Sequence, residues 1–335
     1  MKIVVDGFGG DNAPLAVLQG CALAAEEYKV PIAVTGDVET MKKTALENQV
    51  DISKLELVQA DSVIDIEEDP TEITKSKSDS SMAVAFKMVA SGDADVFVSA
   101  GSTGAIVVGA SLIVKRIKGI KRAALAPIIP TVNGCYMLMD GGANVDCRPE
   151  MLLHFGLMGS AYMNQIMGVK NPRVGLANIG AEETKGGELQ LKAYELLKKA
   201  PINFIGNVEA RDIPLGGCDV VVADGFSGNI ILKLTEGMGK LISMKLKDIF
   251  MSGALSKVAA LIVMKKVNAF KKSMDYTEYG GAPLMGVRKP VIKAHGSSNA
   301  VAFKNAVRQA IRFTENDVIG EIEGHLAACE AGGEE

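Results

Sequence analysis

The chain has no tryptophan, and aromatic residues make up only 5% of it. Its core must therefore be aliphatic, and with 48% apolar and 23% charged residues the composition is that of a folded protein, not a disordered one. Five cysteines (Cys21, Cys135, Cys147, Cys218, Cys329) show no C-x-x-C spacing and are odd in number. That argues against a zinc ribbon or a disulfide framework and predicts free thiols in a reducing cytoplasm. Neither G-x-G-x-x-G nor G-x-x-x-x-G-K-[ST] occurs, which disfavours the usual dinucleotide fold and the P-loop. The longest notable apolar run, 258–264, is too short to span a bilayer. No basic and apolar leader precedes the first strand, so no secretion is expected. A net charge of −4 exerts no global pull toward nucleic acid.

Glycine is in excess, 36 of 335 residues, about 11% against a usual ~7%. The excess falls in short loops after apolar strands. Ile3-Val4-Val5 runs into Asp6-Gly7-Phe8-Gly9-Gly10-Asp11, and Val96-Phe97-Val98 into Ser99-Ala100-Gly101-Ser102-Thr103-Gly104. Residues 136–139 end at Asp140-Gly141-Gly142-Ala143-Asn144, and Val220-Val221-Val222 at Ala223-Asp224-Gly225-Phe226-Ser227-Gly228-Asn229. Strands that are apolar throughout, rather than alternating, are buried on both faces. The expected fold is therefore α/β, a largely parallel sheet with helices on both faces, in one lobed unit over 1–330 with a frayed tail at 331–335. Ligands bind such sheets beyond the carboxyl ends of the strands.

Each loop alone can be a tight turn. Several together, rich in Asp, Asn, Ser and Thr, suit a tetrahedral anion held by backbone N–H groups at helix starts. The expected binding residues are Asp6, Gly9, Gly10, Asp11, Ser102, Thr103, Asp146, Asp224 and Asn229. The expected catalytic residues are Lys185, on a loop that otherwise reads as solvated charge, and His295, which ends a strand at 290–294 beside a capping sequence. Asn144 and Asn178 are the expected hydrogen-bond donors. Asp6, Asp11, Asp140, Asp146 and Asp224 could converge, but nothing in their spacing demands a metal, and neither metal nor cofactor is expected. Cys147 reads as an inert thiol.

Residues 237–274 carry eight lysines and one acid, Asp248. On a helical projection Leu255, Val258, Ala259, Ile262, Val263, Ala269 and Phe270 share a face. Lys257, Lys265, Lys271 and Lys272 lie off it, and Lys266 falls inside it. A basic amphipathic arm of this kind suits an anionic membrane surface or an acidic partner, or else a helix pair packed on the body or across a dimer.

Taken in order, these strings resemble a known family. The carriers are Val5-Asp6 with Gly9-Gly10-Asp11, Ser99-Ala100-Gly101 with Thr103-Gly104-Ala105, and Gly142-Ala143-Asn144-Val145-Asp146. Further on come Phe204-Ile205-Gly206-Asn207-Val208-Glu209-Ala210-Arg211, Asp224-Gly225-Phe226 with Gly228-Asn229, Tyr279-Gly280-Gly281-Ala282, and Lys293-Ala294-His295-Gly296-Ser297-Ser298. Over residues 2 to 312 the chain resembles the bacterial acyl-ACP:phosphate acyltransferases, the PlsX family. It departs at Gly7, Ser102, Gly141 and Thr184, where Ala, Asn, Val and Lys are common; any lysine role therefore falls on Lys185. The resemblance implies a homodimer with a fold similar to isocitrate and isopropylmalate dehydrogenases and phosphotransacetylases. It implies an acyl carrier protein thioester as donor, inorganic phosphate as acceptor, and product passed to a membrane glycerol-3-phosphate acyltransferase for phospholipid synthesis. The expected place is the cytoplasm, peripherally at the inner face of the cell membrane. An NAD(P)-dependent dehydrogenase of similar fold and a non-enzymatic membrane adaptor are the competing readings.

Overall fold

The computed structural model describes residues 1–273 and 279–331, with side chains at 268–273, 330 and 331 outside the description. In chain order the elements of the first half are β1 (Ile3–Asp6), α1 (Leu15–Tyr28), β2 (Ile32–Gly36), α2 (Val38–Glu47), β3 (Leu55–Gln59), α3 (Ser81–Ser91), β4 (Val96–Ser99), α4 (Thr103–Gly109), β5 (Ala124–Leu125), β6 (Ile128–Thr131) and β7 (Gly134–Met139). The second half holds α5 (Pro149–Gln165), β8 (Val174–Asn178), α6 (Glu188–Lys199), β9 (Phe204–Glu209), β10 (Val220–Val222), α7 (Gly225–Met251), α8 (Ala254–Ser273), β11 (Ala282–Met285), β12 (Val291–Lys293), α9 (Ala300–Glu315) and α10 (Val318–Ala331).

The strands form two sheets rather than one. The first has seven strands in the order β3-β2-β1-β4-β12-β11-β5, the second five in the order β6-β7-β10-β8-β9. Pairing is parallel except where β11 meets β12 and β5, and where β6 meets β7. Side-chain alternation explains the unbroken apolar runs. Ile3, Val5, Val96, Val98 and Ile292 enter one core with α1, α5 and α9, while Val4, Phe97 and Val291 enter another with α3 and α4. In the second sheet Met137, Met139, Val220 and Val222 face the first core, and Tyr136, Leu138 and Val221 form a third with Ile231 and Leu232 of α7.

The join between the sheets is built around Asp140. Its carboxylate accepts from the backbone N–H of Leu125 (2.9 Å) and of Asn144 (2.7 Å), and from the Asn144 amide (2.9 Å). Burial pushes the Asp140 carboxyl above its usual range, and these donors oppose that shift. Gly228 of α7 packs so tightly here that a Cβ would lie 1.9 Å from the Asp140 carbonyl oxygen.

The basic arm is a pair of helices, α7 and α8, and α7 begins at Gly225, twelve residues before the lysine-rich stretch. Only Gly225 and Gly228 are buried along α7. Leu255, Val258, Leu261 and Ile262 are exposed, as are Lys257, Lys265 and Lys266. The side chains of Ala269, Phe270, Lys271 and Lys272 lie outside the described residues, as do 274 at the arm's end and 332–335 of the tail. Among the described residues no helix is long and apolar enough to cross a membrane.

Candidate active site

A cleft of about 450 Å³ opens where the strand ends of the two sheets face one another. The first sheet contributes Ala100, Gly101 and Thr103 after β4, and Lys293 to Gly296 at the end of β12. The second contributes Gly141 and Gly142 after β7, with Asn229, Leu232, Lys233 and Glu236 from α7. Leu125, Pro127 and Ile128, in the crossing between the sheets, make an apolar wall.

Loops of the first sheet are laced together before any ligand arrives. Asp11 N–H donates to the Gly296 carbonyl (2.8 Å), and the Asn12 amide donates to the carbonyls of Ser297 and Ser298, both at 3.2 Å. The Ser99 hydroxyl donates to Asp6 (2.7 Å) and accepts from Gly101 N–H (2.9 Å). Gly9 must be glycine in this packing, because a Cβ would fall 2.6 Å from Asp6 Oδ2 and 2.7 Å from the Gly101 nitrogen.

The positive charge of the cleft comes from Lys293 and Lys233. Lys293 Nζ donates to the carbonyls of Ala294 (2.6 Å) and Ala100 (3.4 Å), which leaves one of its three N–H groups for a ligand. Burial pulls its pKa down to about 8; Asp11 opposes the shift and Lys233 adds to it. Lys233 is paired with Glu236 at 3.0 Å. His295 Nδ1 meets the Ser297 hydroxyl (2.8 Å) and accepts from Ser297 N–H (3.2 Å), which leaves the proton of the neutral ring on Nε2. Burial lowers the His295 pKa, and Glu236 opposes that shift. The cleft thus pairs a floor carrying Lys293, Lys233 and His295 with an apolar wall.

The sequence-based expectations divide along this geometry. Asp11, Thr103, Asn229 and His295 line the cleft. Asp6, Gly9, Gly10 and Ser102 line an adjoining chamber. Asp6 itself is 1% exposed and accepts hydrogen bonds from Ser81 (2.6 Å) and Ser99. Ser102 caps α4, and Asp224 caps α7 by accepting from Ser227 N–H at 2.9 Å. Asn144, expected to donate to substrate, is spent on Asp140 and the Ala123 carbonyl. Asp146 is exposed and is not part of the cleft lining.

Lys185 and Asn178 do not line the cleft. Their loop follows β8, two strands from β7 and so roughly 10 Å to the side. There Asn178 donates to the Lys185 carbonyl (3.0 Å), and Lys185 is exposed. The five carboxylates do not form one site: Asp6 and Asp11 line the adjoining chamber while Asp140, Asp146 and Asp224 do not, and among the described residues no group of His, Cys, Asp or Glu is arranged to hold a metal ion. Cys147 donates to the Asn144 carbonyl at 3.4 Å, and burial raises its pKa to about 11, the state of an unreactive thiol.

Lys293 and Lys233 are absent from the residues expected on sequence, yet each left a trace. Lys293 is the last residue of β12, two residues before His295. Lys233 lies four residues after Asn229, on the same side of a helix.

Comparison with known proteins agrees with the resemblance. Residues 1–321 match the family described as "Fatty acid synthesis protein". The phosphate acyltransferase of Alkaliphilus oremlandii is 47% identical over 322 residues, covering 96% of each chain. That of Clostridioides difficile is 45% identical over 323 residues, covering 96% of this chain and 95% of its own. Among solved structures, a phosphotransacetylase from Streptococcus pyogenes superposes with a TM-score of 0.64 at 18% identity, covering 94% of both chains. The EutD phosphotransacetylase from Staphylococcus aureus gives 0.62 at 17% identity with the same coverage. These two establish the expected phosphotransacetylase-like fold. With nearly its whole length matched in sequence, the chain belongs to the PlsX family of phosphate acyltransferases.

Proposed function

We propose that this phosphate acyltransferase takes a fatty acyl group from an acyl carrier protein thioester and passes it to inorganic phosphate, yielding acyl phosphate for phosphatidic acid synthesis. The observation that carries this reading is one cleft in which Lys293, Lys233 and His295 adjoin the wall of Leu125, Pro127, Ile128 and Leu232. A phosphate needs the first group of residues, and a fatty chain needs the second.

A phosphate oxygen attacks the thioester carbon, and the carbonyl electrons move to oxygen. On collapse the C–S bond breaks with its electron pair on sulfur and a thiolate leaves, the thiol pKa of ~8.5 making it a competent leaving group that takes a proton from water or the phosphate afterwards. Since phosphate is itself a nucleophile, no covalent enzyme intermediate is required. The protein holds phosphate about 3 Å from the carbon and stabilises the oxyanion. Lys293 supplies the charge and one N–H. His295 lies beside it in the lining, and the Asn229 and Thr103 side chains add neutral donors. Lys233 exchanges part of its attraction to Glu236 for phosphate. Phosphate-dependent release of carrier thiol with matching formation of acyl phosphate, with acyl carrier protein preferred over coenzyme A as thiol carrier, tests the reading. Enzyme-catalysed release of carrier thiol that proceeds equally without phosphate would contradict it.

The α7–α8 pair supports two further parts of the reading. Phe226, Ile230, Leu234, Met238 and Ile242 recur every four residues along α7 and are all at least 40% exposed, as a face closed by a second copy in a homodimer would be. Leu255, Val258 and Ile262 of α8, with Lys257, Lys265 and Lys266, suit the anionic inner surface of the cell membrane, where a glycerol-3-phosphate acyltransferase would consume the product.

A further inference from the structure

The cleft has a neighbour of about 330 Å³ along the carboxyl ends of β1 and β4. The two chambers share Asp11, Ile66, Ala100 and Gly101, and differ sharply in charge. Lys293, Lys233 and His295 line the first. The second has no Lys, Arg or His in its lining; Asp6, Asp11 and Asp65 supply carboxyl oxygens, Ser81 and Ser102 hydroxyls, and Phe8, Val63 and Ile64 an apolar side. A thioester donor has two limbs, and its carbonyl carbon lies between them.

Building on the thioester-donor reading above, we propose that the second chamber holds the pantetheine arm of the donor, with the acyl chain and phosphate in the first and the thioester across the Ala100-Gly101 rim. Phosphate is disfavoured in the second chamber, whose lining offers carboxyl oxygens and no Lys, Arg or His. A methylene chain is also ill suited to it, because it would take the exposed Asp11 and Asp65 carboxyl groups out of water and give them no donor in return. Up to the phosphodiester that joins it to the carrier, the pantetheine arm is uncharged and carries two amide N–H groups and a free hydroxyl that donate to carboxylate oxygens, along with methyl and methylene groups that suit Val63 and Ile64. Asp65 keeps one such oxygen, since Oδ1 accepts from Ile66 N–H at 2.7 Å. The acyl chain then lies where apolar surface is continuous, along Leu125, Pro127, Ile128 and Leu232.

Val63→Trp tests the assignment, because Val63 is 41% exposed on a surface loop and a larger ring there fills the second chamber without entering a packed core. The probes are palmitoyl-pantetheine and palmitoyl-N-acetylcysteamine, which share the thioester end and differ in whether the arm carries the second amide, hydroxyls and methyl groups, each compared with its octanoyl counterpart. The expected result is at least a tenfold fall in the kcat/KM ratio of pantetheine to N-acetylcysteamine donor, with the palmitoyl-to-octanoyl ratio held within twofold. An unchanged arm ratio would overturn the proposal. So would selective loss of palmitoyl turnover with both arms, which would put the acyl chain in the second chamber.

A measurement on the unmodified chain stands apart from folding of the variant. Free pantetheine should compete with the thioester and leave the KM for phosphate unchanged; competition with phosphate would refute separate chambers. If the parent chain releases no thiol from palmitoyl-acyl carrier protein in phosphate, the thioester-donor reading itself fails, a result distinct from all of these.

Discussion

Removing the charge of Lys293 is the sharpest perturbation the cleft allows. Lys293→Met keeps a side chain of similar length and removes one ammonium, whose hydrogen bonds to Ala294 and Ala100 leave a single N–H for substrate. A preorganised donor facing a developing oxyanion is worth about 2.7–4 kcal/mol, so turnover should fall by about 10²–10³-fold. Lys293→Arg separates charge from geometry. The native ammonium, with its pKa lowered to about 8 by burial, is charged below that value and loses its charge as pH rises through it. Activity that needs the charged form is therefore full below about pH 8 and declines above it. Arginine stays protonated across this range, so the variant should lose that alkaline limb while keeping more activity than Met. The assay is phosphate-dependent thiol release from an acyl thioester between pH 6 and 9.5. A Met variant within threefold of the parent, or an Arg variant with the same limb near pH 8, would refute the assignment.

Three further outcomes follow from the same geometry. Lys185→Ala, on a loop two strands from the cleft edge, should change kcat/KM by less than about threefold, since exposed charges contribute little at that separation; steady-state kinetics decide it. Asp140→Ala leaves the buried Leu125 N–H and the Asn144 donors without their acceptor, so urea unfolding should show a loss of about 2–4 kcal/mol. Val258→Glu or Ile262→Glu puts a carboxylate on the exposed face of α8 and should abolish flotation with anionic liposomes while soluble turnover survives; loss of both together would assign the helix pair to folding or the dimer.

What could be read from the sequence, and what could not, follows from the range of the interactions involved. Val4 and Phe97 enter one core while Ile3, Val5 and Val98 enter another, so the buried parallel strands announce themselves in unbroken apolar runs. The division into two sheets does not. It depends on two-residue β5, on the crossing through Pro127, and on the hydrogen bond from Leu125 to Asp140, fifteen residues away. The loops after β4, β7, β10 and β12 were recognisable as a ligand edge from their glycines and small polar residues. Which lysine lines the cleft was not. Lys185 and Lys293 both follow apolar runs, but β8 stands outside β10 in the second sheet, whereas β12 sits between β4 and β11. That order is set by tertiary packing and has no local signature. The same holds for Asn144, whose place after a buried strand suggested a substrate contact and whose amide is instead spent on Asp140.

The central claim is direct attack by phosphate, held in the Lys293 cleft, on an acyl thioester with no acyl-enzyme between. A single-turnover quench with enzyme in excess over acyl carrier protein thioester tests it most directly. Without phosphate the account predicts no release of carrier thiol, and on adding phosphate one equivalent each of thiol and acyl phosphate appearing together. A stoichiometric burst of thiol before phosphate is added would contradict it.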